Sequence, residues 1–202
     1  RITGDFRVLD VLTTLAFDYP RRADYFRSEL EQYLLLTRTE GVDPFAVRGS
    51  YAGAIGLPQF MPGSIRRWAV DFDGDGRIDL RESPADAIGS VANFLAEHGW
   101  APGEPARYAA RIADPERLAP LIEAGITPAF TIDSLRNYGV SSRDPVAFDT
   151  KLALIALPNG DDAPDYWLGA RNFYVITRYN RSSFYASAVI ELAEALRGEI
   201  GR

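Results

Sequence analysis

The residues with the clearest capacity for chemistry are Asp71-Phe72-Asp73-Gly74-Asp75-Gly76-Arg77-Ile78-Asp79-Leu80-Arg81-Glu82. Carboxylates alternate along this run, a glycine sits where the chain must turn sharply, and a glutamate closes it. This is the pattern of an EF-hand loop, whose calcium ion takes six to eight hard oxygen ligands. Asp71, Asp73 and Asp75 supply carboxylates, and Arg77 supplies its backbone carbonyl. Asp79 ligates directly or through water, and Glu82 holds the bidentate position. Ile78 fits the apolar position that fixes such a loop. Without a cation these acids would repel one another. The expected role of the ion is structural, since there is one loop and a single methionine, not a pair of loops around a Met-rich groove.

The second informative run is Gly49-Ser50-Tyr51-Ala52-Gly53-Ala54-Ile55-Gly56-Leu57-Pro58-Gln59-Phe60-Met61-Pro62. Glycines allow backbone to approach a ligand closely. Gln59 offers donors and an acceptor suited to sugar amides and hydroxyls. Tyr51 and Phe60 are candidates for stacking on sugar faces.

The elements that must position these runs follow from periodicity. Helices are expected over 5–19 (Phe6, Leu9, Leu12, Leu15 and Ala16 inward) and over 21–39 (Phe26, Leu30, Tyr33, Leu34 and Thr37 inward, Glu29 and Glu31 toward water). A short helix is expected from Ser64. Another starts at Ser83-Pro84-Ala85-Asp86, with a serine cap and an early carboxylate, and turns Ile88, Val91, Ala92 and Leu95 inward until Gly99. Past Trp100 the chain mixes Pro, Gly and short apolar runs, with strands expected at 130–132 and 152–157 and a turn at Asn159-Gly160. Helix resumes from 167, and a final amphipathic helix runs from Tyr185 to Leu196, stopped by Gly198. The expected class is mainly α (α+β), divided into a helical core at 1–100, a small β lobe at 101–165 and a return to the core at 166–202.

Composition narrows the function. The net charge is −6 with no basic run, which argues against nucleic acid. There is no cysteine, hence no thiol nucleophile, disulfide or cysteine-ligated zinc. The lone His98 falls at a helix end, where a cation complements the dipole.

The Gly-Ala-Ile-Gly-Leu-Pro-Gln-Phe-Met-Pro run resembles the glycine-rich motif of lysozyme-like lytic transglycosylases and goose-type lysozymes. Asp18-Tyr19-Pro20-Arg21-Arg22, the acidic loop followed by Ser83-Pro84-Ala85-Asp86-Ala87-Ile88-Gly89-Ser90-Val91-Ala92-Asn93, and Phe173-Tyr174-Val175-Ile176-Thr177-Arg178-Tyr179-Asn180 narrow it to the membrane-bound lytic transglycosylase B family. The resemblance covers nearly the whole chain, and the stretch 101–165 only loosely. It implies a lysozyme-like core with a small β domain. The implied activity is cleavage of the MurNAc-β-1,4-GlcNAc bond of peptidoglycan without water, leaving 1,6-anhydromuramyl ends. By position it assigns Ser50, Gln59, Arg21, Arg22, Tyr179, Asn180 and Tyr185 to substrate binding. It offers Asp86 beside Glu82 as the last calcium ligand, a choice the sequence leaves open. The family's catalytic glutamate lies in a Glu-Thr-x-Tyr-Gly motif upstream of Arg1, so residues 1–202 are expected to lack the acid and to show negligible turnover alone. The implied setting is the periplasm, either soluble or as an outer-membrane lipoprotein held by an upstream segment. The implied partners are glycan strands and cell-wall synthesis proteins. Competing readings are a non-catalytic peptidoglycan-binding module, a hydrolytic lysozyme-like muramidase and a calcium-regulated interaction protein.

Overall fold

The computed structural model describes residues 3–201. The chain divides into two compact units, one ending at Glu97 and the other beginning at His98.

The first unit is helical. β1 (Phe6–Arg7) pairs antiparallel with β2 (Arg48–Gly49), and between them run α1 (Val8–Asp18) and α2 (Ala23–Glu40). Pro20 stops the first helix and seeds a 3-10 turn through Arg22. The helix expected from residue 5 begins only at Val8, because Phe6 is spent on strand pairing and is exposed. Val8, Leu12 and Ala16 make its buried stripe. In α2 the buried stripe is Phe26, Glu29, Tyr33, Leu36 and Thr37. Two expectations fail here. Leu34 is 46% exposed, and Glu29, assigned to water, is 5% exposed. Gly41 closes α2 at φ +67°, in the left-handed region that glycine adopts without a Cβ penalty.

α3 (Pro62–Trp68) and α4 (Pro84–Glu97) flank the acidic loop. The inward face of α4 carries Asp86, Ala87, Gly89, Ser90 and Phe94, whereas Ile88 is 68% exposed. The expected face was therefore rotated. A Cβ on Gly89 would lie 2.4 Å from the Phe72 ring, and the Ser90 hydroxyl accepts a hydrogen bond from Val70 N–H at 2.9 Å. Close packing and a satisfied backbone donor, not hydropathy, decide which side turns in.

The second unit is built on an antiparallel sheet of order β4-β3-β6-β5. Its elements are β3 (Arg107–Ile112), α5 (Ala119–Glu123), α6 (Ile132–Arg136), β4 (Val140–Ser142), β5 (Ala153–Asn159) and β6 (Asp162–Gly169), then α7 (Arg171–Tyr179) and α8 (Ser183–Ile200). The strand expected at 130–132 is a single bridge, Phe130 to Leu152, because Thr131 instead caps α6 in a reciprocal box with Ser134. The two faces of the sheet carry separate cores. Leu118, Leu121, Leu135, Val140, Leu154 and Leu168 lie on one side; Ala153, Ile155, Phe173, Ile176, Ala186 and Ile190 lie on the other. The second core joins α7 and α8 to the sheet, and β6 crosses the expected 165/166 boundary. Residues 166–202 thus pack with the β lobe. α8 continues through Gly198 to Ile200. Among the described residues no helix is long and apolar enough to cross a membrane.

Candidate functional site

The glycine-rich run forms a tight hairpin. Ile55 and Phe60 exchange backbone hydrogen bonds of 2.8 and 3.1 Å, and Gln59 N–H closes the turn on Gly56 carbonyl. Gly56 has φ +74°, and a Cβ there would meet the Leu80 carbonyl oxygen at 2.5 Å, so only glycine fits. Gln59 has φ +52° and is the one non-glycine residue held in the left-handed region among those described. A conformation of this kind costs of order 1–3 kcal/mol and persists only where surrounding contacts impose it.

Those contacts also orient the Gln59 side chain. Its NH2 group donates to the carbonyls of Gly56 (2.8 Å) and Thr3 (3.1 Å), which leaves the side-chain oxygen as an acceptor on an exposed residue. Ser50 is complementary. Its hydroxyl oxygen accepts from Ala52 N–H and Ala54 N–H at 3.2 and 3.1 Å, leaving its proton to donate. The loop thus presents one fixed acceptor and one fixed donor. Tyr51 is 78% exposed, but Phe60 is 3% exposed. Phe60 is therefore a core residue, with its ring 5.7 Å from that of Phe94, and is unavailable for stacking on a sugar.

The start of α3 is held from α2. Gly63 N–H donates to Glu29 Oε2 at 2.7 Å. Burial pushes the Glu29 carboxyl above its usual range, against the lowering effects of that hydrogen bond and of Arg67. No local signal marks this, since a glutamate on an amphipathic helix reads as solvent-facing. Arg21 and Arg22 are exposed at the 3-10 turn, with the Arg22 guanidinium 4.5 Å from the Tyr25 ring centre.

In the acidic loop Asp71, Asp73 and Asp86 bring carboxylate oxygens within 4.8 Å of one another. Asp86, in the first turn of α4, is 1% exposed and turns its carboxylate onto the loop backbone. It accepts from Asp79 N–H (2.7 Å) and Phe72 N–H (2.8 Å), and these donors hold its carboxyl below the usual aspartate range. Asp71 accepts from Gly74, Asp75 and Gly76 N–H. Asp75 accepts from Arg77 N–H, and Asp79 from Arg81 and Glu82 N–H. Glu82 is exposed; with Arg77, Arg81 and Glu40 it lines a hollow of about 990 Å³ beside α2. The loop and the hairpin are joined: Leu57 N–H donates to Leu80 carbonyl at 2.7 Å.

Tyr179, Asn180 and Tyr185 lie in the second unit, at the end of α7 and the start of α8. The two tyrosine rings are stacked 6.2 Å apart with planes 1° from parallel, and burial raises both phenol pKa values. Asn180 is exposed, and its carbonyl accepts from Ser182 N–H at 2.7 Å.

The family model "Transglycosylase SLT domain" matches residues 1–194. The chain belongs to the transglycosylase SLT domain family. It is 44% identical over 196 residues to membrane-bound lytic murein transglycosylase B of Escherichia coli (strain K12), covering 97% of this chain and 52% of that protein. The SLT domain chain thus spans about half the length of that curated relative. It resembles the crystal structure of soluble lytic transglycosylase SltB1 from Pseudomonas aeruginosa at TM-score 0.89 and 49% identity, over 100% of this chain and 66% of that one. An Escherichia coli lytic transglycosylase solved in complex with bulgecin A gives TM-score 0.89 and 43% identity, over 100% and 62%. The same Escherichia coli enzyme has been solved in complex with calcium, at TM-score 0.85 and 42% identity over 100% and 62%.

Proposed function

We propose that this domain is the glycan-binding body of a peptidoglycan lytic transglycosylase that acts in the periplasm on MurNAc-β-1,4-GlcNAc bonds. The observation that carries the reading is the strained hairpin. It holds the Gln59 oxygen as an acceptor and the Ser50 hydroxyl as a donor, the pair needed to fix an acetamido or hydroxyl group of a sugar. Arg21 and Arg22 would meet carboxylates of the murein. Tyr179, Asn180 and Tyr185 would offer stacking and polar contacts to glycan.

In the proposed reaction one glutamic acid protonates the glycosidic oxygen as the C1–O bond breaks. The muramyl 6-hydroxyl then attacks its own C1, and the same carboxylate takes the hydroxyl proton. No water enters, and the product carries a 1,6-anhydro ring. This differs from the scheme with two carboxylates. Glu29 is buried and committed to Gly63 N–H, which suits it to holding structure and not to proton donation. We assign the acid to a glutamate of the family's Glu-Thr-x-Tyr-Gly motif, a pattern that residues 1–202 do not contain.

The acidic loop is proposed to hold calcium. Three carboxylates with oxygens within 4.8 Å, one of them buried and favoured in its charged form, suit a hard divalent cation. Asp71, Asp73 and Asp86 would be its carboxylate ligands, with Asp75 and Asp79 around them. Asp86, buried and grouped with Asp71 and Asp73, is preferred over the exposed Glu82. The ion would neutralise the cluster. This chain's own Leu80 carbonyl then keeps Leu57, and with it the Gln59 turn, in place.

Co-sedimentation with purified murein tests the reading. Binding that Gln59→Ala weakens roughly tenfold or more, with the fold intact, is expected; no binding by the unaltered chain would refute it.

A further inference from the structure

The sheet of the second unit has a corner that its helices leave open. Along β3, Arg107, Ala109 and Arg111 point to one face, because side chains alternate. Ala109 is paired with Trp167 on β6. On its other side Arg143 N–H donates to the Ala109 carbonyl at 2.9 Å, so Arg143 extends the same row just past β4. This is the face whose far side is covered by α7 and α8 through Ile155, Phe173 and Ile190. The cover ends at Arg107, whose side chain is 3% exposed and pairs with Glu191 (3.1 Å) and Glu194 (3.8 Å) of α8. Beyond it Ala109 is only half-buried, and Arg111 and Arg143 are exposed.

A hollow of about 600 Å³ occupies that corner. Ala109 is its floor, Trp167 one wall, and Arg111, Arg143 and Asp165 its charged lining. The Arg107 guanidinium lies 3.7 Å from the Trp167 ring centre and fixes that wall. Its charge is met by Glu191 and Glu194, so the charge of the corner is set by Arg111, Arg143 and Asp165. Among the described residues neither Arg111 nor Arg143 enters an ion pair. Their register is diagonal, Arg143 lying one step past the end of β4, which sets the two residues roughly 7–8 Å apart and their β-carbons somewhat closer. Two unpaired guanidiniums against one aspartate leave this corner positive on a chain whose net charge is −6.

We propose that this corner is a binding shelf for the carboxylates of a short peptide, and, on the reading above, of the peptide stem carried by the glycan. Guanidinium groups take planar carboxylates in forked pairs, a small floor residue lets the peptide backbone settle, and an indole wall takes its apolar side chains. Asp165 would oppose a carboxylate placed directly on it and would instead receive an amine. The shelf therefore selects a peptide carrying both charges over a plain polyanion.

The test compares two ligands by calorimetry at low salt: a disaccharide-peptide from murein, and the same disaccharide after the peptide has been removed. The unaltered chain should bind the peptide-bearing form roughly three- to tenfold more tightly. The double variant Arg111→Gln/Arg143→Gln should bind both forms equally, with its circular dichroism unchanged. Equal binding of the two forms by the unaltered chain, or a preference that survives in the double variant, overturns the shelf. Should the chain bind neither disaccharide, the proposed function fails and the shelf is judged separately by NMR titration with the free stem peptide. Salt-sensitive shifts of the Trp167 indole N–H and of the Arg111 and Arg143 Nε–H signals support it, and their absence overturns it.

Discussion

Replacing Glu29 separates the shape of the α2–α3 contact from its charge. Glu29→Ala leaves Gly63 N–H without its 2.7 Å acceptor in a site 5% exposed. An orphaned buried donor costs about 1–3 kcal/mol, and the lost methylene adds about 1 kcal/mol, for a destabilisation of roughly 2–4 kcal/mol. Glu29→Gln keeps an acceptor of the same shape. Because burial outweighs the hydrogen bond and Arg67 in raising this carboxyl's pKa, its charged form is disfavoured in the fold. Gln should then match or exceed the parent at pH 7. The linkage sign follows. With the folded pKa above 4.5, the folded chain binds the proton more readily. Glu29's contribution is most favourable below pH 4.5 and is lost as pH rises through the folded pKa. The difference in stability between parent and Glu29→Gln should therefore shift toward the parent on acidification. Urea unfolding followed by far-UV circular dichroism at several pH values reads all three effects. A Gln variant as damaged as the Ala variant at pH 7 would refute the argument, because the charge itself would then be holding the contact.

Three further outcomes follow from the loops. Calcium should raise the midpoint of thermal unfolding, and Asp86→Asn should remove most of that rise, whereas Glu82→Gln should leave the larger part; the opposite ranking would move the last ligand to Glu82. Without calcium, Asp86's lowered pKa makes its contribution present above pH 3.8 and lost as pH falls through the folded value, so the parent should lose stability in acid more steeply than Asp86→Asn. Gln59→Gly should relieve the φ of +52° but lose the side-chain bonds to the Gly56 and Thr3 carbonyls and loosen the unfolded chain, so stability should move by no more than about 1 kcal/mol while murein binding weakens, measured by denaturation and co-sedimentation together. Gly56→Ala should cost roughly 2 kcal/mol or more in urea unfolding, since the added carbon would sit 2.5 Å from the Leu80 carbonyl oxygen.

What was readable in the sequence was what local chemistry decides. Pro20 separates α1 from α2, Ser83-Pro84 opens α4, and the acidic run forms a loop in which its aspartates turn on their own backbone. What was not readable depends on partners distant in the chain. Glu29 is buried because Gly63, 34 residues later, offers a donor. Gly89 and Ser90 face inward because Phe72 and Val70 fill that side. β3 carries Arg107 and Arg111 on one face, so no apolar alternation marks it as a strand; its arginines are tolerated by α8 glutamates at one end and by solvent at the other. β6 begins Asp162-Ala163-Pro164-Asp165, turn-like residues that its pairing with β5 holds extended. At the hairpin, neither periodicity nor residue type announces the left-handed Gln59 backbone; the motif marked only its side chain.

We propose that this domain positions murein for anhydro-forming cleavage, with the acid supplied by the family's Glu-Thr-x-Tyr-Gly motif. Mass spectrometry of purified murein tests it most directly, after incubation with residues 1–202 and, separately, with a longer chain in which the family's Glu-Thr-x-Tyr-Gly segment precedes Arg1. The account predicts 1,6-anhydromuramyl products, lighter by one water than reducing ends, from the longer chain alone. Anhydro products from residues 1–202, or reducing-end products from the longer chain, would contradict it.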